Sequence, residues 1–131
     1  MKRTAINPWT WSEAFGFDQA QLVEGHTREL ILSGQTSVDG DGVPQHAGDM
    51  AAQVALALDN LEVVLAAADM TIANVVRLNI YTTDVDLFLQ SYGALAERSA
   101  AAGTRPASTL LGVTRLAFPE LMVELEATAI A

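Results

Sequence analysis

The sequence contains no cysteine and few basic residues, and these absences exclude several classes of function. Without cysteine, the chain has no disulfide bond, no thiolate metal site and no cysteine nucleophile. Seven lysines and arginines stand against sixteen aspartates and glutamates, which gives a formal charge of -9. A field of that sign repels phosphate backbones and anionic lipid headgroups. We therefore expect neither a nucleic acid nor a membrane as a partner.

Long hydrophobic runs are also missing. Asp59, Glu62 and Asp69 interrupt the most apolar stretch, which falls short of the roughly 18 apolar residues of a membrane span. Lys2 and Arg3 are not followed by the apolar segment of a signal peptide. The sequence therefore predicts a cytoplasmic protein.

Several catalytic and metal-binding motifs are absent. The chain has no Gly-x-Ser-x-Gly elbow, no phosphate-binding loop and no dinucleotide fingerprint. His26 and His46 lie far apart without ligand-like neighbours, and the stretch from Asp39 to Gly42 lacks the closing glutamate of a calcium loop. That stretch is typical of a tight turn. We expect neither a metal nor a cofactor.

What the chain does have is a regular hydrophobic pattern, which predicts one α+β domain over residues 1–131 with an N-terminal arm at 1–16. Half of the residues are hydrophobic, enough to form one core. Apolar residues at spacings of three and four predict the longest helix between Ala47 and Ala68. A second helix is predicted from Val85 to Ala101, capped by Thr83 or Asp84.

Period-two patterns and turn residues predict five strands around these helices. Two form a predicted hairpin, and the others follow singly: Gln21–Glu24 and Leu30–Ser33, then Ala73–Tyr81, Ser108–Thr114 and Leu121–Ile130. The order is ββαβαββ, which favours one mixed sheet covered on one face by two helices. The other face mixes apolar and polar residues, and a closed ring of identical subunits with clefts at its seams would cover it.

Five groups of residues, in this order, resemble the RidA (YjgF) family. They are Phe17–Ala20, Leu32–Gln35, Ala52–Gln53 with Leu58–Leu61, Val75–Arg77 with Tyr81–Asp84, and Arg105–Ser108 with Val123–Ala127. The resemblance implies a chorismate-mutase-like fold, a homotrimer and a small-molecule site at each subunit interface. Active relatives hydrolyse imines and enamines there, with an arginine that holds the substrate carboxylate.

The chain departs from that pattern at the arginine, which in active relatives follows the Pro-Ala pair. Ser108 occupies this position, so the resemblance places the chain in a subgroup without the deaminase arginine. Arg105 precedes Pro106, and three residues of extended chain move a side chain by roughly 10 Å and reverse its face. We therefore do not expect Arg105 to substitute simply. Phe17 stands where active relatives often have tyrosine.

The resemblance also assigns the other candidate site residues. Glu124 matches a glutamate of the last strand and is the catalytic candidate, while Ser33 and Gly34 match a serine and glycine that line the cleft. Tyr92 of the second helix joins Phe17, Arg105 and Ser108 as a ligand-binding candidate.

For several of these residues, an ordinary structural role stays open beside the functional one. Glu124 is either a general acid or water-holder or a solvated strand residue, and Ser33 is either a ligand contact or the polar end of a strand. Arg105 is either a cation at the rim of the cleft or a solvated loop residue. Glu126 is interpreted as an interface ion-pair residue. Trp9 and Trp11 either cover a cleft or simply pack.

The leading hypothesis is a trimer that binds a carboxylate- or carbonyl-bearing metabolite between subunits, with weak or absent activity towards 2-iminoacids. One alternative is an active hydrolase that acts on a different imine, enamine or related substrate through Glu124 and water. Another is a regulatory or interaction protein without catalysis.

Overall fold

The structure, a computed structural model, describes residues 1–131 as six strands and two long helices. The strands are β1 (Lys2–Ile6), β2 (Ala20–Glu24), β3 (Glu29–Thr36), β4 (Val75–Thr82), β5 (Ala107–Gly112) and β6 (Val123–Ile130). The helices are α1 (Met50–Ala67) and α2 (Val85–Ala101), with short 3-10 helices at Trp11–Phe15 and Ile72–Asn74. The predicted architecture, two helices on a mixed sheet, is confirmed.

The main sheet has four strands in the order β3-β6-β4-β5, in which only β4 and β5 run parallel. Alternate residues of β6 face the two helices, as the predicted alternation requires: Val123, Leu125, Ala127 and Ala129 are buried. Their neighbours point to the opposite face, which no element of the chain covers. We call this the open face; it carries Ile31, Arg77, Asn79, Tyr81, Thr109, Leu111, Glu124, Glu126 and Thr128.

Helix α1 is the core helix. It buries Val54, Leu58, Leu61 and Leu65 against the sheet, and Asp49 caps its first turn by accepting from the backbone N–H of Ala52 at 3.0 Å. The helix is long and apolar enough to cross a membrane by length and composition, with a mean hydropathy of 1.5. The core helix of a globular domain meets the same criterion, and packing on a sheet accounts for its apolar side here.

The predicted hairpin of Gln21–Glu24 with Leu30–Ser33 is wrong in its pairing. Both strands exist, but β2 pairs with β1, a strand within residues 1–16 that the hydrophobic pattern did not indicate, and β3 pairs with β6. Arg3 helps to attach this pair of strands to the main sheet. Its guanidinium donates to the carbonyl oxygen of Ala73, in the 3-10 helix before β4, and to that of Val75, the first residue of β4.

Candidate functional site

A bulge in β3 brings Gly34 against Glu124. Ser33 and Gly34 together lie opposite the single residue Glu126, because the register moves from Leu32↔Ala127 to Gln35↔Leu125. A Cβ on Gly34 would lie 2.0 Å from Oε1 of Glu124, so the carboxylate passes directly over this glycine. Ser33 is exposed in the same bulge. Three predicted site residues are therefore neighbours at the β3 edge of the sheet.

The second glutamate of the open face, Glu126, is held within the chain by two neutral donors, and its predicted ion pair across a subunit interface stays a prediction. Nδ2 of Asn79 and the hydroxyl of Tyr81 both donate to its Oε1, each at 2.9 Å. The bond from Asn79, followed by the bond from Tyr81, lowers the pKa of Glu126 below its ordinary value. The same bond to Glu126 is the main reason that the pKa of Tyr81 is raised. By contrast, no ion pair or side-chain hydrogen bond within the chain holds Glu124.

A cavity of about 280 Å³, here called the apolar cavity, lies on the helix side of the sheet, at the β5 edge. The N-terminal segment, strands β4 and β5 and helix α2 contribute its lining: Trp11, Phe15, Phe17, Ile80, Leu89, Tyr92, Ser108 and Leu110. Three of the predicted ligand-binding residues, Phe17, Tyr92 and Ser108, thus meet in one place.

Both hydroxyl groups of the apolar cavity donate to the main chain. Oγ of Ser108 donates to the carbonyl oxygen of Leu78 at 2.8 Å, across the β4–β5 pair. The hydroxyl of Tyr92 donates to the carbonyl oxygen of Phe15 and fastens the 3-10 helix to α2. Burial raises the pKa of Tyr92. Ser108 and Tyr92 therefore contribute neutral side chains, already hydrogen-bonded, to the wall of the apolar cavity.

Arg105 does not line the apolar cavity. Its Nε donates to Oδ1 of the buried Asp18 at 3.1 Å, and its Nη2 lies 3.9 Å from Glu13. It lines instead a separate polar cleft, together with Arg3 and Gln21 among others. The structure therefore places Arg105 away from Ser108, as the reversal of face across Pro106 predicts.

Apart from Arg105, the predicted site residues thus fall into two groups that do not meet within one chain. Phe17, Tyr92 and Ser108 lie on the helix side at the β5 edge, whereas Gly34 and Glu124 lie on the open face towards β3. Phe15 and Leu89 also line the apolar cavity, although the sequence did not predict them as site residues. The dense aromatic segment from Trp9 to Phe17 was the available signal, and only the docking of the 3-10 helix on α2 shows which of its rings face inward.

The chain is similar in sequence to one protein family and to a curated protein of similar length. Residues 17–131 match the family model described as Endoribonuclease L-PSP. Protein DfrA of Myxococcus xanthus is 35% identical over 89 residues, which cover 67% of this chain and 67% of that protein.

Solved structures match over nearly the whole chain. YyfB of Yersinia pestis, described as a protein of unknown function of the conserved Rid family, is 34% identical with a TM-score of 0.86 and complete coverage of both chains. The YjgF gene product of E. coli is 25% identical with a TM-score of 0.70, over 96% of this chain and 90% of that one.

Proposed function

This chain belongs to the Rid family, also called YjgF, and on that basis we propose that it binds a small molecule at a site shared between copies of the chain. The copies form a closed homotrimer. In each seam, the apolar cavity of one copy faces the Gly34–Glu124 edge of the next. The ligand carries a carbonyl, imine or carboxylate group that reaches this edge.

The separation of the two groups of site residues carries this proposal. Ser108 and Glu124 lie on opposite faces of the sheet, and β5 and β3 are its two outer strands. Head-to-tail contacts that close into a ring bring unlike surfaces of neighbouring copies together. Such a ring would also cover the open face, where Ile31 is 77% exposed and Leu111 is 50% exposed.

The hydrogen bonding of Ser108 further supports weak or absent activity towards 2-iminoacids. A guanidinium binds a carboxylate with two parallel charge-assisted bonds, and a serine hydroxyl already bonded to Leu78 offers neither the charge nor the second donor. Arg105 cannot substitute because Asp18 and Glu13 engage it elsewhere.

A coupled assay tests this part of the proposal. An amino-acid oxidase generates 2-iminoacids from several amino acids, and ammonia release is followed with and without the protein. We expect no acceleration beyond about twofold, and we expect Ser108→Arg to accelerate release more than the wild type. Robust acceleration by the wild-type protein would show that the arginine is dispensable and that this part of the proposal is wrong.

A second candidate function is hydrolysis of a different imine, enamine or related substrate, and the unpartnered carboxylate of Glu124 favours it. A carboxylate over a glycine, free of structural bonds, is available to orient a water or to transfer a proton. Glu126 is the matched control, because Asn79 and Tyr81 already occupy one of its oxygens.

A comparison of variants at the two glutamates distinguishes a catalytic role of Glu124 from an effect of the charge of the open face. For any imine that the protein hydrolyses, Glu124→Gln should lower kcat at least a hundredfold, whereas Glu126→Gln should change it less than threefold. Equal losses in both variants would assign the effect to the charge of the open face and would contradict a catalytic Glu124.

We do not extend the ribonuclease description of the family model to this chain. The net charge of -9 opposes RNA at physiological salt. Tight binding of a single-stranded RNA at 150 mM salt, with a steep dependence on salt, would overturn that electrostatic conclusion.

A further inference from the structure

The apolar cavity offers a ligand no free hydrogen-bond donor from its side chains other than the indole of Trp11. A hydroxyl group carries one proton, and the protons of Ser108 and Tyr92 are both used by main-chain carbonyls. The remaining lining side chains are apolar. An anionic or strongly accepting group of a ligand would therefore find only the indole N–H of Trp11, unless one of these two bonds broke.

The apolar cavity also contains no charge. Arg105 is paired in the separate polar cleft, and no lysine, arginine or histidine is among the lining residues. Burial of an ionised carboxylate without a partner is strongly unfavourable. The lining that this chain provides therefore favours an uncharged group.

The size and walls of the cavity suit an aromatic ring system. A dry apolar cavity of roughly 150 Å³ holds benzene, so a volume of about 280 Å³ accommodates a bicyclic ring. The ring of Trp11 meets those of Phe15 and Phe17 edge to face, at centroid distances of 6.4 and 5.7 Å. Such an arrangement leaves ring faces and edges available to a further aromatic group.

We propose that the apolar cavity takes an uncharged aromatic group, so that the natural ligand is an aryl-bearing carbonyl or imine compound without a carboxylate next to its ring. The inference rests on the proposed function, because it identifies the ligand class of the same shared site. The carbonyl or imine end would then extend from the cavity towards Gly34 and Glu124 of the next copy.

Two probes of nearly equal shape test the inference on the full-length protein: 2-acetylnaphthalene, which is neutral, and 2-naphthoate, which replaces the methyl group with an anionic oxygen. Affinities are measured by titration calorimetry, and the site is located by NMR shifts of Leu110 and Ile80. We expect the neutral ketone to bind at least tenfold more tightly than the carboxylate.

Two variants of Ser108 complete the test. Ser108→Arg should reverse the preference by placing a guanidinium beside the carboxylate, whereas Ser108→Ala should keep the wild-type preference, because it adds no charge. If the arginine variant does not fold, the alanine variant and the wild type still compare the two probes.

The outcomes distinguish the two levels of the proposal. Equal affinities, or tighter binding of 2-naphthoate to the wild type, would overturn the ligand class while the shared site stands. Binding of neither probe would show that the cavity takes no such ligand, for instance because a neighbouring copy fills it, and both the inference and the proposed binding function would fall.

Discussion

At the level of single residues, the close contact between Gly34 and the carboxylate of Glu124 predicts the effect of one substitution. Gly34 does not adopt a positive φ, so an alanine fits its backbone, but the new methyl group would occupy the space of the Glu124 carboxylate. That carboxylate ends a flexible side chain, which can swing away at small cost to the fold. Gly34→Ala should therefore weaken ligand binding at least tenfold while the free energy of unfolding changes by less than about 1 kcal/mol.

Gly93 provides the matched control for that variant. It lies inside α2, and a Cβ there would meet nothing within 4 Å. Gly93→Ala should raise the free energy of unfolding by about 0.5–1 kcal/mol and leave binding unchanged. Calorimetric titration and urea denaturation of both variants check the pair. A Gly34→Ala protein that binds like the wild type would show that the position of Glu124 is unimportant.

The lowered pKa of Glu126 predicts a dependence of stability on pH. A carboxyl group whose pKa is lower in the folded state stabilises the fold above its unfolded pKa, near the ordinary value of 4.5, and this contribution is lost as the pH falls through the folded value. Asn79→Ala removes the hydrogen bond that lowers the pKa of Glu126 the most. The wild type should lose stability more steeply than this variant as the pH falls below 4.5.

Urea midpoints of the wild type, Asn79→Ala and Tyr81→Phe across that pH range measure the effect. Tyr81→Phe should give an intermediate slope, because it removes only the second hydrogen bond. Parallel profiles for all three proteins would mean that these bonds do not favour the ionised carboxylate.

At the scale of the elements, α2 depends on one capping residue. The carboxylate of Asp84 accepts from the backbone N–H of Leu87 at 2.9 Å, and the helix carries Leu89 and Tyr92 into the apolar cavity. Asp84→Ala should lower the free energy of unfolding by about 1 kcal/mol, while Asp84→Asn should cost less because asparagine also caps helices. Urea denaturation measures the free energy of unfolding of both variants. Equal losses of stability would contradict a capping role of Asp84.

The elements differ in how well the sequence predicts them. Helix α2 was predicted with the bounds that it has, and β4 and β6 with the correct buried faces, because a long periodic pattern records which side faces the core. Strand β1 was not predicted. It is short, and it is held partly by hydrogen bonds from Arg3 to two carbonyl groups some seventy residues away, which no local pattern reveals.

For the candidate site, the sequence predicted individual residues but not how they are grouped in space. The residues came from the family resemblance, and the strand alternation placed Glu124 on the open face. Their grouping could not be predicted, because it depends on the bulge that sets Gly34 beneath Glu124 and on the docking of Phe15 against Tyr92. Both features are tertiary, and neither changes the hydrophobic pattern of its own segment.

For the whole molecule, the open face sets the expected assembly. Ile31 projects from it with 77% of its surface exposed, whereas Val63, 68% exposed, projects from α1 on the outer side of the core helix. Ile31→Asp should dissociate the ring because it would bury a charge in the seam, and Val63→Asp should leave the ring intact. Size-exclusion chromatography with light scattering compares the two. Identical behaviour would mean that the open face is not the interface.

Each proposed site needs two copies of the chain. The mass of the wild-type protein, measured by sedimentation equilibrium at micromolar concentration, tests whether the copies assemble. We predict a single species of about three times the 13.9 kDa of one chain. A stable species with the mass of one chain would leave the open face in water and the two groups of site residues apart, and would contradict a site shared between copies.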